Sequence, residues 1–239
     1  MPLSQIEQSI IDIINGADFV SEAPTNGSDI IIGTDLADGV YLLDGDDIAS
    51  GGLGNDKLYG GNGDDGILGG GGNDILFGKN GNDSLFGGDG KDRISGGDDN
   101  DFIGGGEGDD RLWGDDGDDD ISGGDGKDNL FGDSGDDVIN GDDGNDKLTG
   151  GTGNDTMTGG AGADNFYFVS GDGQDVITDF EIGIDTITID GLALDVWLDG
   201  ANWSVVSASE TTFSVTSLSG DALTLEHVDG LALFNNFLF

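Results

Sequence analysis

Residues 51–77 read GGLGNDKLY, GGNGDDGIL and GGGGNDILF, three blocks of nine that share a glycine first residue, an aspartate sixth residue and an apolar eighth residue. The frame begins at Gly33 and runs without insertion to Tyr167, which gives 15 units, and Asp29 holds the same phase before it. Position 6 is aspartate and position 8 is apolar in all 15 units, while glycine holds position 1 in 14 and position 4 in 13. A repeat that stays in phase over this length predicts a solenoid rather than a disordered acidic tract.

The nine-residue period also predicts the geometry of each unit. Positions 7 to 9 are expected to form a three-residue strand with position 8 pointing inward, because side chains alternate along a strand. The inward residues, among them Leu58, Leu76 and Leu112, would form a thin core. Positions 1 to 6 would form the turn, where glycine supplies the backbone angles that other residues avoid. Two units would complete one coil, so units 18 residues apart would stack in parallel.

Stacking at a separation of 18 residues brings each position-6 aspartate next to another, as in Asp74 and Asp92. Adjacent carboxylates repel unless a cation lies between them. Calcium accepts 6–8 oxygen ligands, including backbone carbonyls, whereas magnesium demands octahedral geometry and keeps its waters. We therefore predict bound Ca²⁺, up to about 14 ions, one for each pair of aspartates 18 residues apart. The predicted ligands are Asp29, Asp38, Asp47, Asp56, Asp65, Asp74, Asp83, Asp92, Asp101, Asp110, Asp119, Asp128, Asp137, Asp146, Asp155 and Asp164.

The pattern G-G-x-G-x-D-x-U-x, in which U is apolar, resembles the nonapeptide of the RTX (hemolysin-type) secreted bacterial proteins over residues 24–167. The resemblance implies an all-β fold, a right-handed parallel β-roll that binds calcium. The motifs Gly173-x-Asp175-x-Ile177 and Gly183-x-Asp185-x-Ile187 resemble the segment that closes such rolls.

Both ends of the chain differ from the repeat. Residues 1–23 carry Ile6, Ile10, Ile13 and Ile14, a spacing that predicts a short amphipathic helix. Residues 168–239 are expected to form a β-rich C-terminal cap, with strand signals at 185–190, 211–217 and 222–228. The ending LALFNNFLF (231–239) resembles the uncleaved C-terminal signal of proteins exported by the type I route of Gram-negative bacteria.

Composition excludes several classes of site. Asp and Glu number 50 against 7 Lys and Arg, a net charge of -43, so the chain is not expected to bind nucleic acid through a basic surface. Cysteine is absent and His227 is the single histidine, which excludes disulfides, thiolate zinc sites and sites with two imidazoles. No stretch reaches the length of a membrane span. The first basic residue is Lys57, so we expect export without a Sec-type signal peptide.

The units feed two sheets alternately, and the sheets differ at position 9. One sheet has six aromatic residues among eight and the other has one among seven, and six of the seven basic residues belong to units of the aromatic sheet. One interpretation is a surface for an acidic polysaccharide or a cell surface. The other is structural, since aromatic rings and cations also stabilise one another along a sheet. The candidate ligand-binding residues are Tyr59, Phe77, Arg111, Trp113 and Phe131.

These observations favour a secreted, extracellular calcium-binding protein that is not an enzyme and whose folding is coupled to extracellular calcium. Its expected partners are calcium ions and the type I secretion machinery. Two alternatives stay open, a polysaccharide-binding or surface-binding module and the C-terminal part of an RTX enzyme. Met1 and the lack of room for a separate catalytic domain favour the non-enzymatic interpretation.

Overall fold

The structure is a computed structural model that describes residues 24–168, 173–181 and 184–189, together with strands at 204–208, 212–216 and 222–226. These residues form strands and turns without a helix, which confirms the predicted all-β class. The helix predicted within residues 1–23 lies outside the described residues.

The described residues contain 22 β-strands, half of them six residues long. In chain order they are β1 Ile30–Ile32, β2 Gly39–Asp44, β3 Ile48–Leu53, β4 Lys57–Asn62, β5 Gly66–Gly71, β6 Ile75–Asn80, β7 Ser84–Asp89, β8 Arg93–Asp98, β9 Phe102–Glu107, β10 Arg111–Asp116, β11 Asp120–Gly126, β12 Asn129–Ser134, β13 Val138–Gly144, β14 Lys147–Thr152, β15 Thr156–Thr158, β16 Ala161–Gly162, β17 Asn165–Phe168, β18 Gln174–Ile177, β19 Thr186–Ile189, β20 Ser204–Ala208, β21 Thr212–Thr216 and β22 Ala222–Glu226.

Alternate strands belong to two sheets, as the repeat predicts. The nine-stranded sheet has the order β19-β17-β14-β12-β10-β8-β6-β4-β2, and the thirteen-stranded sheet begins β1-β3-β5-β7-β9-β11-β13-β15-β18. Pairing within the repeats is parallel, and each residue stands beside the residue 18 positions away, as Leu58 does beside Leu76. Two nonapeptides therefore complete one coil.

Strands β2 to β14 are longer than the three residues predicted. Each runs from position 7 of one unit at least through position 3 of the next, as in β4 and β10, so the predicted length is wrong for these strands and the turn is correspondingly shorter. β15, with three residues at positions 7 to 9, has the predicted length. The glycines at positions 1 and 2 continue the strand because neighbouring coils supply ladder partners for their backbone. Along these strands positions 8 and 1 are buried, and position 1 therefore faces inward beside the apolar position 8.

The core is one column of apolar side chains from each sheet. The position-8 residues from Ala49 to Phe166 are all 0% exposed, which confirms their predicted inward orientation. Leu42, the one position-1 residue in the repeats that is not glycine, is buried in the same core. Two position-9 residues are also buried: Ser50 is 8% exposed, and Phe86 is 4% exposed and lies against Gly104.

Turn glycines at position 4 allow the coils to stack closely. Gly72 has a φ of +131°, and a Cβ there would stand 1.4 Å from the carbonyl oxygen of Gly54 in the preceding coil. The same geometry recurs along the roll. Asp99 takes a glycine position with a φ of 77°, which is consistent with the ease with which aspartate adopts left-handed angles.

Past the repeats, the sheets continue with a changed pattern. β17 pairs with β19, and β18 joins β15 to β22, which continues antiparallel through β21 to β20. The strands expected at 185–190, 211–217 and 222–228 are confirmed, whereas β20 is a strand that the sequence analysis did not predict. Among the described residues, no helix is long and apolar enough to cross a membrane.

Candidate calcium sites

The position-6 aspartates form a continuous hydrogen-bonded column. The backbone N–H of each donates to Oδ1 of the aspartate 18 residues later, as Asp56 does to Asp74 at 2.8 Å. All 14 predicted pairs, from Asp29 and Asp47 to Asp146 and Asp164, make this bond at 2.6 to 2.9 Å. Each carboxylate thus reaches back to the coil before its own.

The column extends beyond the repeat through two aspartates that are absent from the predicted ligands. The N–H of Asp155 donates to Asp175 at 3.1 Å, and the N–H of Asp164 donates to Asp185 at 3.0 Å. A signal for both was present in the sequence, because each follows glycine by two residues and precedes isoleucine by two, as position 6 does within a unit.

The second carboxylate oxygen carries the chemistry of the site. In 13 aspartates of the described repeats, Oδ2 is buried and has no hydrogen-bond partner: Asp47, Asp56, Asp65, Asp74, Asp83, Asp92, Asp101, Asp110, Asp119, Asp128, Asp137, Asp146 and Asp164. A buried carboxylate oxygen without a donor costs free energy, because water no longer solvates its charge. A column of such atoms indicates that a cation completes the site.

The electrostatics of the column lead to the same conclusion. Burial raises the pKa of the Asp83 and Asp101 carboxyls to about 8, and neighbouring carboxylates of the column add to the effect. The pKa of Asp65 rises to about 7 for the same reasons. A bound divalent cation would reverse this preference, since it stabilises the ionised form.

The donor set fits calcium. Among the described residues, no three acidic, histidine or cysteine side chains are placed so that they could together hold a metal ion, so a cation here would need backbone oxygens as well. Backbone oxygen is close by, because the point where a Cβ of Gly51 would stand lies 2.2 Å from Oδ2 of Asp56 and 2.6 Å from the carbonyl oxygen of Gly69. Carboxylate and carbonyl oxygens are the ligands that calcium accepts. The same crowding explains why position 1 is glycine.

Two predicted ligands at the N-terminal end differ from the others. Oδ2 of Asp38 accepts a hydrogen bond from the backbone N–H of Thr34 at 2.7 Å, and Thr25 bonds Asp29 in the same way. Both aspartates are only partly buried. Their second oxygen is already satisfied, so this end of the column offers poorer calcium ligands.

Asn and Asp side chains at position 5 form a second hydrogen-bonded column, which was not predicted from the sequence. Here Oδ1 accepts the N–H of the next coil, as Asn55 does from Asn73 at 2.8 Å and Asp118 does from Asp136 at 2.9 Å. Position 5 is Asn or Asp in 11 of the 15 units, which was the available signal. Neighbouring side chains thus tie each turn to the coil on either side.

The aromatic residues predicted as a binding surface all lie in the nine-stranded sheet, where their rings stack on one another. Tyr59 lies 4.4 Å from Tyr41 and 5.0 Å from Phe77, while Trp113 lies 5.7 Å from Phe131. Lys147 lies over the Phe131 ring at 5.8 Å. Most ring faces are therefore in contact with a neighbouring side chain.

All basic strand residues lie in the nine-stranded sheet. Its strands carry Lys57, Lys79, Arg93, Arg111 and Lys147. Lys79 is the seventh basic residue, the one whose unit belongs to the other sheet. It nevertheless lies in the nine-stranded sheet, because β6 continues into the next unit and position 2 stays in the same strand. The remaining two lysines, Lys91 and Lys127, stand in turns, and Lys91 forms a salt bridge with Asp109.

Comparison with known proteins identifies the repeat. The description "RTX calcium-binding nonapeptide repeat (4 copies)" matches in overlapping copies that together span residues 41–177, more than half of the chain. The chain belongs to this RTX family. Its β-roll is a calcium-binding structural module of the kind found in secreted proteins, and the repeats themselves are not catalytic.

One solved structure similar to the RTX chain is the extracellular lipase LipA from Serratia marcescens, with 16% sequence identity and a TM-score of 0.34. The match covers 91% of this chain and 40% of the lipase, so the chain spans less than half the length of that relative. No curated protein matches the sequence.

The calcium column predicts a difference between a central and a terminal aspartate. Asp92→Ala removes a candidate Oδ2 ligand and also leaves the buried N–H of Asp74 without its acceptor, at a cost of about 1–3 kcal/mol for that N–H alone. Asp38→Ala removes a carboxylate whose Oδ2 bonds Thr34 locally. A calcium titration followed by circular dichroism should show a clearly higher midpoint for Asp92→Ala than for Asp38→Ala.

Asp92→Asn serves as the matched variant, since its amide oxygen can still accept the N–H of Asp74 while the charge is lost. We expect Asp92→Asn to resemble Asp92→Ala in its calcium midpoint. A wild-type midpoint for Asp92→Asn would mean that the carboxylate acts only as a hydrogen-bond acceptor.

Proposed function

We propose that this RTX protein is secreted and that its folding is coupled to extracellular calcium. The observation that carries the proposal is the column of buried Oδ2 atoms without partners, from Asp47 to Asp146 and at Asp164. A chain with a net charge of -43 would have to bury these carboxylates against their mutual repulsion. Cations would remove that penalty, so binding and folding would occur together.

The residues that would hold calcium are the position-6 aspartates, with turn carbonyls as additional ligands. When bound, calcium supplies positive charge between stacked carboxylates. The chain itself supplies the framework, because the Oδ1 bonds orient each carboxylate and the turn glycines leave room for close stacking. Magnesium is a poorer candidate, since it prefers octahedral geometry and retains its waters.

Coupled folding would suit export. At low cytosolic calcium, self-repulsion would keep the chain open, and in a calcium-rich exterior the roll would form on arrival. The proposed organisation is an N-terminal segment at 1–23, a β-roll at 24–167 and a β cap at 168–239 that carries a type I secretion signal. The ending 231–239, like His227, lies outside the described residues. We also propose that the protein as a whole is not an enzyme.

The free calcium concentration at which the roll forms tests this proposal. Extracellular calcium modules bind at about 10⁻⁴ to 10⁻³ M, and we expect the β-sheet signal of the full chain to appear in that range in a calcium-buffered titration. A midpoint below about 10⁻⁶ M, the range of intracellular sensors, would contradict coupling to the exterior, because the chain would already fold before export.

A further inference from the structure

The nine-stranded sheet has one gap in its row of aromatic residues. At position 9 the adjacent strands β6, β8 and β10 carry Phe77, Ser95 and Trp113, and the register places Ser95 directly between the two aromatic residues. Two strand spacings separate the rings, a distance of about 9.5 Å. Phe77 and Trp113 thus form the walls of a slot with Ser95 as its floor.

Each wall is supported from behind. Tyr59 stacks on Phe77 at 5.0 Å, and Phe131 stacks on Trp113 at 5.7 Å. One face of each wall is therefore covered, and the face turned toward Ser95 has no stacked ring. Because stacking fixes the ring planes, the two walls are ordered before any ligand arrives. The entropic cost of binding a ligand between them is therefore lower.

Cations surround this slot in a strongly acidic protein. Arg93 and Arg111 stand side by side in register, both exposed, and among the described residues neither guanidinium has a salt-bridge partner. Like charges directly opposite on a sheet are destabilising. Lys79 lies over the Phe77 ring at 4.9 Å, and because Tyr59 covers the other face, its ammonium lies on the slot side.

A carboxylate is also present at the floor. The Ser95 hydroxyl donates to Oδ2 of Asp115, which follows Trp113 on β10. The slot therefore offers aromatic faces, a group that accepts hydrogen bonds from hydroxyls, and cations that bind a carboxylate. This combination matches a polyhydroxylated ring that carries one negative charge.

The width of the slot favours a sugar ring over a planar nucleic-acid base. A planar ring held between two aromatic rings needs about 7–8 Å, two contacts of 3.5–4.0 Å. The remaining space of about 2 Å suits a puckered pyranose ring, which would displace the Lys79 ammonium from the slot-side face of Phe77. We propose that Phe77, Ser95 and Trp113 form a binding site for one uronic acid residue of an extracellular polysaccharide, with Arg93 and Arg111 on its carboxylate and Asp115 on its hydroxyls. This site goes beyond the calcium-dependent folding proposed above.

Filling the slot gives a sharp test. Ser95→Phe would complete the aromatic row and occupy the site, while the core stays unchanged because position 9 faces outward. Binding of methyl glucuronoside to the full chain at saturating calcium is measured by protein NMR, with circular dichroism as the check on folding. We expect Ser95→Phe to bind methyl glucuronoside at least about tenfold more weakly than the wild type. We expect a similar loss for the double variant Arg93→Gln with Arg111→Gln, because it removes charge-assisted contacts to the carboxylate.

Controls distinguish this site from the sheet as a whole. Tyr41→Ala removes an exposed aromatic residue of the same row at the far end of the stack, and we expect its affinity to stay within about twofold of the wild type. Methyl glucoside, which lacks the carboxylate, should bind about tenfold more weakly than methyl glucuronoside.

Several outcomes would overturn the site. They are no binding by the folded wild type, equal binding by Ser95→Phe, and binding that follows free calcium but not the two arginines. Tighter binding of oligothymidylate with the same response to Ser95→Phe would assign the slot to single-stranded nucleic acid instead. If Ser95→Phe fails to fold, the arginine double variant alone decides, because its changes lie on the exposed face.

Discussion

The chelated chain is expected to lose its β-sheet signal and to give the far-UV spectrum of a random coil. Without cations the fold must bury the Oδ2 atoms of residues such as Asp83 and Asp101 without a partner. Each buried carboxylate oxygen without a donor costs about 1–3 kcal/mol. Summed over the 13 Oδ2 atoms of the column, this cost equals or exceeds the usual stability of a domain, about 5–15 kcal/mol. Circular dichroism in chelator and then in millimolar calcium is the measurement.

Magnesium at the same concentration is the matched control for ionic strength and charge. We expect it to restore far less β signal than calcium, because it is reluctant to exchange its waters for carbonyl oxygens. Equal β content in chelator and in calcium would show that the roll folds without cations. Equal recovery with magnesium would show that charge screening alone suffices.

Protons offer a second way to neutralise the column. The folded-state pKa is raised to about 8 for Asp83 and Asp101 and to about 6 for Asp92, against 3.8 for an unperturbed carboxyl. Folded chains therefore hold protons that unfolded chains release. Without calcium, proton binding by these aspartates stabilises the folded chain. This stabilisation is complete below about pH 4 and is lost as the pH rises through about 6 to 8.

Acidification of the chelated chain should thus increase its β signal. With calcium present the pH effect should reverse, since protons compete for the same carboxylates and the calcium midpoint should rise as the pH falls. A chelated chain that stays unfolded at pH 4 would mean that carboxylate repulsion is not the main barrier to folding.

Gly72→Ala is expected to destabilise the roll by more than about 4 kcal/mol, which is exceptional for one methyl group. A Cβ at this residue would stand 1.4 Å from the carbonyl oxygen of Gly54 and 2.5 Å from its carbon, and the φ of +131° is itself unfavourable for alanine. Backbone cannot give way as a side chain can, so the two coils must separate. The calcium midpoint and the Tm at saturating calcium should both show the loss.

Gly71→Ala, one residue earlier, is the matched control. Its Cβ would meet only Cδ2 of Leu53 at 3.1 Å, the end of a flexible side chain that is 57% exposed. We expect a change within about 1 kcal/mol. If Gly72→Ala also keeps a wild-type midpoint, the close approach of the coils at position 4 does not limit the fold.

Much of this fold could be predicted from its period. Invariant apolar residues such as Leu112 identify the inward column, and a separation of 18 residues identifies the stacking partners of residues such as Asp92. Strand length was not predictable from residue type, because glycine at positions 1 and 2 favours turns and becomes strand only when neighbouring coils provide ladder partners. Lys79 was misassigned for this reason.

The candidate sites were predictable as a column of aspartates, but the hydrogen bonds of their two carboxylate oxygens were not. The sequence does not reveal that Oδ1 is used by a backbone N–H while Oδ2 is left for a cation, since this depends on the relative height of two coils. Asp175 and Asp185 were missed because the repeat has already lost its regular spacing there. Their separations from Asp155 and Asp164 are 20 and 21 residues instead of 18.

The Oδ1 column gives the roll a polarity. The position-6 carboxylate of each turn accepts a hydrogen bond from the coil before it. The N–H of Asp74 therefore needs Asp92, and that of Asp164 needs Asp185. The position-6 N–H of a coil is paired only once its C-terminal neighbour is in place. Assembly that begins at the C-terminal end and advances toward the N-terminus therefore gives each new position-6 N–H an acceptor that is already present. Assembly in the opposite direction would leave the position-6 N–H of the last coil buried and unpaired at the growing edge throughout.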